Sequence, residues 1–292
     1  MEKRYYSPVL SQQEIDKIIS ELDPSGPMTK VGIDKICYYN NFDNDKVLLV
    51  SNLFNEEFEY VNDKLLDLKA HGINVCPTLG AFIPHANKLN KHKLLDVYGR
   101  KAFIIQQKAN GIQLDNACGR TSVHDEIWLT TASNNSLEIL AGATLPQYKK
   151  FINDMLTILN SGIEIDFKRK SNFFYDPNDG FTIIDLTNKK NPEENKFNNY
   201  TFIKQVFGLI CYRPSAKRGT YEFEQSRESA LMIAEKMANA LLDCDKPFTK
   251  KEVGEGIDLL KSYGFDFYEK ISMNKIINNA KTKQEPSEPA FI

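Results

Sequence analysis

The sequence predicts an α+β protein of two lobes, a small lobe of mixed sheet followed by a larger helical lobe. Short apolar runs between turn-rich connectors dominate residues 1–107, whereas amphipathic helical periods dominate residues 108–280. A chain of 292 residues has the length for two lobes, and it can bury about three quarters of its unfolded surface. Residues 281–292 are rich in proline and charge, and we expect them to form a disordered tail.

The small lobe is predicted to begin with a helix over residues 11–22. Ser11 and Glu14 have the spacing of a capping box, and apolar residues follow at helical intervals. A second helix is predicted over Asn55–Ala70, where Gly72 ends the apolar period. Four apolar runs bounded by turn residues predict the strands of this lobe, namely Ile33–Tyr39, Val47–Ser51, Val75–Ile83 and Arg100–Gln107.

The large lobe is predicted to centre on an amphipathic helix over Leu145–Leu159. A hairpin is expected next, because the strand-like runs Asn172–Asp176 and Phe181–Leu186 flank the turn residues Pro177–Gly180. The remaining apolar periods predict further helices, a short one over Val123–Thr131 and longer ones over Glu193–Tyr212, Ser226–Leu242 and Thr249–Tyr263, with an extension over Phe267–Ala280.

The composition predicts a globular protein of the cytoplasm. The 37 Lys+Arg residues and 39 Asp+Glu residues give a net charge of −2, which excludes a globally basic nucleic-acid-binding protein. No run approaches the ~20 apolar residues that span a bilayer, and the first residues lack the apolar core of a secretory signal. The five cysteines are scattered, so we expect buried, reduced thiols. The Asn- and Lys-rich composition also suits a bacterial protein that is delivered into a host cell.

Four polar residues before and within the predicted hairpin carry the chemistry of the sequence. Asp166 and Lys168 lie in the loop that follows the helix over Leu145–Leu159, Asn172 begins the hairpin, and Asp185 ends it. Because a hairpin brings its outer ends together, we expect Asn172 and Asp185 to face each other at about 4.8 Å, one strand spacing. Amide and carboxylate oxygens so placed can hold a divalent cation.

This order of residues resembles the protein-kinase-like superfamily, over about residues 25–280. The family has an Asp, a Lys two residues later, an Asn, and then a hairpin that leads to a second Asp. The resemblance implies a bilobal protein-kinase-like fold that binds ATP with Mg²⁺ or Mn²⁺ between its lobes. It further implies that Asp166 orients the attacking hydroxyl, that Lys168 neutralises the transferring phosphoryl group, and that Asn172 and Asp185 hold the metal.

The loop and hairpin also depart from the family pattern. Glu164-Ile165-Asp166 stands where protein kinases have His-Arg-Asp, and six rather than five steps separate Asp166 from Asn172. Asp185-Leu186-Thr187 replaces Asp-Phe-Gly, so the usual flip of the activation loop is not expected.

The small lobe lacks the Gly-x-Gly-x-x-Gly loop, and the candidate phosphate cradle is Ser25–Gly32. The strand Lys46–Ser51 resembles the family's third strand, whose lysine would fall near Leu49 or Ser51, and neither of these carries a charge. The resemblance leaves a few residues to contact the nucleotide: Lys30, Lys35 and Lys46 as substitute cations, Glu59 as the helical partner, and Gln106 and Gln107 in the predicted hinge between the lobes, Ile104–Gly111.

Three functions remain open at this point. The first is a kinase that transfers phosphate to a hydroxyl, on a protein substrate. The second is a pseudokinase that senses a nucleotide or binds a protein, favoured by the missing strand lysine, and the third is a kinase-fold nucleotidyl transferase. The basic clusters at Lys88–Lys101 and Lys168–Lys170 suit a phosphorylated or polyanionic small-molecule ligand. Hydrolase and zinc-protease motifs are absent from the sequence.

Overall fold

The computed structural model of the chain contains two compact units. The first comprises residues 1–109 and 186–188, and the second comprises residues 110–185 and 189–292. Within the described residues the protein has seven helices and small, largely antiparallel sheets, in agreement with the predicted α+β class. The structure describes residues 5–21, 28–31, 35–38, 45–51, 56–84, 102–114, 118–124, 127–132, 134–167, 169–188, 198–210, 212–214 and 218–262.

The first unit is built on an antiparallel sheet of six strands in the order β1-β5-β6-β4-β3-β2. Its elements in chain order are β1 (Tyr5–Tyr6), α1 (Gln12–Ser20), β2 (Met28–Val31), β3 (Lys35–Tyr38), β4 (Lys46–Ser51), α2 (Glu56–Ala70), β5 (Thr78–Phe82) and β6 (Ala102–Gln107). The four predicted strands are present: β3, β5 and β6 are shorter than predicted, whereas β4 begins one residue earlier, at Lys46. β2 was not predicted, because Gly26, Pro27 and Gly32 around it are typical of a turn.

The central strands of this sheet are buried on both faces. Leu48 and Val50 of β4 pack in one apolar cluster with Ile15 and Ile19 of α1, whereas Leu49 packs in another on the opposite face. This alternation explains why β4 appears in the sequence as a continuous apolar run. The predicted capping box of α1 is confirmed by hydrogen bonds between Ser11 and Glu14.

The second unit combines two three-stranded sheets with five helices among its described residues. Its elements are β7 (Ile112–Gln113), β8 (Cys118–His124), β9 (Ile127–Ala132), α3 (Asn134–Gly142), α4 (Leu145–Asn160), β10 (Ile163–Glu164), a 3-10 turn (Lys170–Asn172), β11 (Phe173–Asp176), β12 (Gly180–Ile183), α5 (Asn199–Ile210), β14 (Tyr212–Pro214), α6 (Tyr221–Asp243) and α7 (Lys250–Ser262). Strand β13 (Thr187–Asn188) belongs to the first unit, where it packs on α2.

The predicted helices of the second unit are present as α4, α5, α6 and α7, but the helix predicted over Val123–Thr131 is wrong. That segment forms the antiparallel hairpin of β8 and β9. Its β-branched residues favour extended backbone, and β9 also pairs with the distant strand β14. Helix α3 was not predicted. The predicted extension over Phe267–Ala280, the tail 281–292 and the basic stretch 88–100 lie outside the described residues.

Two findings bear on the predicted class of protein. None of the helices among the described residues is long and apolar enough to cross a membrane. Cys76 and Cys244 are buried and form no disulfide, as predicted for these two thiols.

Candidate functional site

The loop that carries Asp166 is anchored by alternating buried residues. Ile163 and Ile165 are buried and Phe167 nearly so, whereas Glu164 is exposed and Asp166 half-buried. This period of two places Glu164 and Asp166 on the same outer side of the chain. The apolar side chains therefore fix the loop to the core while the carboxylates remain accessible.

Backbone hydrogen bonds fold the loop into two successive turns. The Arg169 amide donates to the Asp166 carbonyl oxygen (3.3 Å), and the Asn172 amide donates to the Arg169 carbonyl oxygen (2.9 Å). Gln113 of β7 holds the end of the loop, since its Nε2 donates to the Ser171 carbonyl oxygen (2.6 Å). The turns bring the side chains of Asp166 and Arg169 together, with 3.4 Å between Oδ2 and Nε.

Asn172 connects this loop to the hairpin. Its side chain is 5% exposed, and its Nδ2 lies 3.5 Å from the Asp166 carbonyl oxygen. The structure thus brings the predicted residues Asp166 and Asn172 into contact. Lys168 lies outside the described residues.

The prediction that Asn172 faces Asp185 is wrong by one residue. In the hairpin Phe173 is opposite Ile183, and the Ile184 amide donates to the Asn172 carbonyl oxygen (2.8 Å). Asn172 therefore faces Ile184, and Asp185 follows one residue later. The register is set by the connector between Asp176 and Gly180, which are themselves paired.

Asp185 has an unusual backbone conformation. Its φ of 55° makes it the one described non-glycine residue with a positive φ. Left-handed backbone is uncommon outside glycine, although aspartate and asparagine tolerate it best. Asp185 is half-buried and is the last residue of the second unit before the chain passes to Leu186–Asn188 of the first.

The hairpin rests on the aromatic face of α4. Phe181 stacks on Phe151 with ring centroids 4.4 Å apart and contacts Tyr148 at 5.1 Å, while Phe173 meets Phe151 edge-on. On its other side β11 pairs with β7. Gly111 lies so close to β11 that a Cβ on it would come within 2.1 Å of the Tyr175 carbonyl oxygen. The hairpin, which carries Asn172 at its start and leads to Asp185, is thus packed against α4 and paired with β7.

The predicted metal ligands at this hairpin are the side chains of Asn172 and Asp185. Among the described residues no three His, Cys, Asp or Glu side chains are grouped to hold a metal ion. Mg²⁺ does not need such a cage, because it is commonly bound by one or two protein oxygens together with phosphates and water. The amide oxygen of Asn172 and the carboxylate of Asp185 are ligands of this chemical type, but the hairpin register does not place the two residues opposite each other.

The candidate nucleotide contacts of the first unit have varied surroundings. In backbone register, Lys30 of β2 is opposite Ile36, Lys35 of β3 is opposite both Val31 and Ser51, and only the backbone of these two lysines is described. Lys46 is half-buried near α1: the hydrogen bonds from Ser11 lower the pKa of Glu14, and the charge of Lys46 lowers it further.

The predicted third-strand positions hold no cation, since Leu49 and Ser51 are uncharged, and both residues are buried. Glu59 is half-buried on α2, near enough to Tyr6 to help raise the pKa of that phenol, although burial of the phenol is the larger cause.

The predicted hinge residues are engaged within the first unit. The Gln106 side chain donates from Nε2 to the Cys76 carbonyl oxygen (2.6 Å), and the Gln107 amide donates to the Pro77 carbonyl oxygen (3.1 Å). These contacts fix the end of β6.

Sequence reasoning missed two residues that shape the site. Gln113 was not singled out, because a glutamine in a two-residue strand carries no pattern. Arg169 was noted only for its charge, since the turn that brings it to Asp166 depends on backbone hydrogen bonds.

Comparison of the chain with models of protein families gives no match, and comparison with curated proteins gives none.

Proposed function

We propose that the protein is an ATP-dependent phosphotransferase of the protein-kinase-like type, which transfers the γ-phosphoryl group to a hydroxyl on a protein. The observation that carries the proposal is the contact between the Asp166 loop and Asn172, on a hairpin that ends in Asp185 with a left-handed backbone. Strained residues cluster at functional sites, where the surrounding structure holds them.

The further support comes from the order of elements in the first unit. Three antiparallel strands, β2, β3 and β4, are followed by α2 and then by β5 and β6. Strand β4 therefore stands in third position among the strands between α1 and α2, as the resemblance implies.

In the proposed reaction Asp166 acts as the acceptor of the hydroxyl proton. The hydroxyl oxygen forms a bond to the γ-phosphorus, and the bond from that phosphorus to the bridging oxygen breaks, with its electron pair leaving on ADP. The proton of the hydroxyl passes to the Asp166 carboxylate. Asn172 and Asp185 would hold a divalent cation, which when bound supplies neutralisation of the phosphate charge. The apolar anchors of the loop keep the carboxylate in position.

The test uses ATP labelled at the α or the γ phosphorus, with Mg²⁺ or Mn²⁺, and an acceptor protein mixture. We expect label from the γ position on protein. The variant Asp166→Asn should lower transfer by ~10²-fold or more, the range of a lost general base, and still bind Mg-ATP. Full transfer by this variant would remove Asp166 from the role.

The matched control is Asp176→Ala, at the far end of the hairpin. Its Oδ1 accepts hydrogen bonds from the amides of Asn178 (2.8 Å) and Asp179 (3.2 Å), so it caps the turn. This variant should lose about 1 kcal/mol of stability and keep its turnover.

A pseudokinase is the second candidate, because Leu49 and Ser51 leave β4 without a buried cation. Mg-ATP binding without transfer of either label would support it. Label from the α position alone would instead identify nucleotidyl transfer.

A further inference from the structure

The loop of the proposed active site pairs its own carboxylate with a cation. Arg169 Nε lies 3.4 Å from Asp166 Oδ2, and the backbone turn from Asp166 to Arg169 holds the two side chains side by side. The carboxylate that would receive the hydroxyl proton is therefore already paired with a guanidinium before any acceptor binds.

The ion pair between Asp166 and Arg169 is accessible to a competing anion. The side chains of Arg169 and Asp166 are 45% and 41% exposed, and Arg169 Nε lies 3.4 Å from Asp166 Oδ2. Exposed pairs of this kind contribute little to stability, because water screens them. A second anion can thus compete with Asp166 for the guanidinium at small cost.

Arg169 is also the cation of this loop that faces outward. Lys170, the other cation of the loop that the structure describes, is 4% exposed. A guanidinium presents a planar fork of donors that matches the two oxygens of a carboxylate or of a phosphate. Any anion that approaches Asp166 from solvent meets this fork.

We propose that Arg169 selects a protein segment that carries a carboxylate or phosphate beside the acceptor hydroxyl. This inference rests on the proposed function. The anion of the segment draws the guanidinium away from Asp166, so that Arg169 no longer competes with the hydroxyl proton for Oδ2. The hydroxyl oxygen then bonds to the γ-phosphorus, and ADP leaves with the electron pair of the broken bond. When the acceptor lacks this anion, Arg169 stays paired with the Asp166 carboxylate, and phosphoryl transfer to that acceptor is slow.

The test compares four peptides that share one serine and differ in its neighbours: glutamate, phosphoserine, glutamine or lysine. Transfer of γ-label by the wild type should show kcat/KM at least about tenfold higher for the two anionic peptides than for the glutamine peptide, the scale of a charge-assisted hydrogen bond. A difference between glutamate and phosphoserine then identifies which anion is preferred. The lysine peptide should be the poorest acceptor.

The variant Arg169→Gln should lose this preference, with a lower rate on the anionic peptides and a higher rate on the glutamine peptide. Arg169→Lys keeps the charge without the fork and should retain part of the preference. The control is Lys261→Gln, which breaks another i,i+3 surface pair, with Asp258 at 2.9 Å, and should keep the wild-type ranking.

Three results would overturn the inference. Equal rates on all four peptides, or an unchanged ranking in Arg169→Gln, would refute it and leave the proposed function standing. If inositol hexakisphosphate accelerates transfer to the glutamine peptide to the rate of the glutamate peptide, the anion is a free small molecule and not part of the segment. Absence of Mg-ATP binding and of transfer to every peptide would refute the proposed function itself.

Discussion

Substitutions at Asp185 can test its left-handed backbone conformation and its carboxylate charge separately. An L-residue in the left-handed region costs of the order of 1–2 kcal/mol, except where glycine, asparagine or aspartate is present. The φ of 55° therefore limits which substitutions are informative, because alanine would add strain to the loss of the carboxylate. Asparagine keeps the tolerance and removes the charge.

We expect Asp185→Asn to lower Mg²⁺-dependent ATP affinity by about tenfold or more, since in the proposed site the cation would lose the Asp185 carboxylate as a ligand. Its melting temperature should stay near that of the wild type. Asp185→Gly should lose affinity equally, whereas Asp185→Ala should lose both affinity and stability. Calorimetric titration and thermal melting measure the two quantities, and an undiminished affinity in Asp185→Asn would remove the residue from the site.

For single residues, spacing along the chain predicted which side chains lie close together but not which residues face each other or which backbone conformation they adopt. The order of Asp166 and Asn172 was enough to expect a shared site, and the two residues are in contact. The prediction that Asn172 faces Asp185 was wrong because the register depends on the paired ends of the turn, Asp176 and Gly180. A backbone dihedral such as that of Asp185 is decided by tertiary contacts, which no local pattern reports.

At the scale of elements, a buried amide fixes α2 against the sheet of the first unit. Asn62 is 2% exposed, its Nδ2 donates to the Thr78 carbonyl oxygen (2.9 Å), and its Oδ1 accepts from the Thr78 amide (2.6 Å). The same Nδ2 also donates to the Tyr6 hydroxyl (3.0 Å), which in turn donates to Asp63 (2.7 Å). The amide thus bonds to β5 as a neighbouring strand would.

The sequence favoured an apolar face for α2, and Asn62 lies on that face, four residues after Phe58 and three before Leu65. A polar residue on such a face is normally predicted to point to solvent, because the backbone groups that it binds belong to another element and cannot be identified from the local sequence. Helix α4 was predicted correctly from its amphipathic period, which is a local pattern, and the structure adds a capping box at Thr144 and Gln147. The pairing of β9 with β14 joins residues such as Thr130 and Tyr212, which are distant in the chain.

We expect Asn62→Ala to destabilise the protein by about 1–3 kcal/mol for each buried backbone group of Thr78 that is left unpaired. The control is Asp67→Asn on the same helix, whose side chain is 73% exposed and whose replacement should change stability by less than about 0.5 kcal/mol. Urea denaturation measures both. Equal stability of Asn62→Ala and wild type would show that the network does not hold α2.

At the scale of the whole molecule, the boundary between the two units is crossed more than once. The sequence indicates a change from sheet to helix near residue 107, but nothing local indicates that Leu186–Asn188 joins the first unit. That return depends on contacts of β13 with α2, which lie more than a hundred residues apart in the chain. Non-local contacts of this kind are absent from periodicity and composition.

Buried acids make the stability of the molecule sensitive to alkaline pH. Burial raises the pKa of the Cys76 thiol to about 12 and raises the pKa of the Tyr6 and Tyr148 phenols. Each folded pKa lies above its unfolded value, so the stabilising contribution is complete below about pH 9–10 and is lost as pH rises toward the folded pKa. We therefore expect the free energy of unfolding to fall steeply above pH ~9.

Tyr148 allows this pH dependence to be assigned to a single group. Its ring is fully buried under the hairpin, and its hydroxyl donates to the Leu140 carbonyl oxygen at 3.0 Å. Near neutral pH, Tyr148→Phe should cost about 0.5–1.5 kcal/mol, the value of a lost hydrogen bond. Above pH ~10 the wild type should lose about 1.4 kcal/mol per pH unit through this phenol, because the unfolded chain releases the proton that the folded chain retains.

The phenylalanine variant has no such proton, so its disadvantage should shrink with rising pH, vanish near pH ~11 and reverse beyond it. Denaturant unfolding of both proteins at pH 8, 10 and 11, followed by circular dichroism, measures the difference directly. The other tyrosines and Cys76 are present in both proteins, so their contributions cancel. A difference that stays constant over this range would mean that the Tyr148 phenol ionises in the folded protein as readily as in the unfolded chain, contrary to its position in the core.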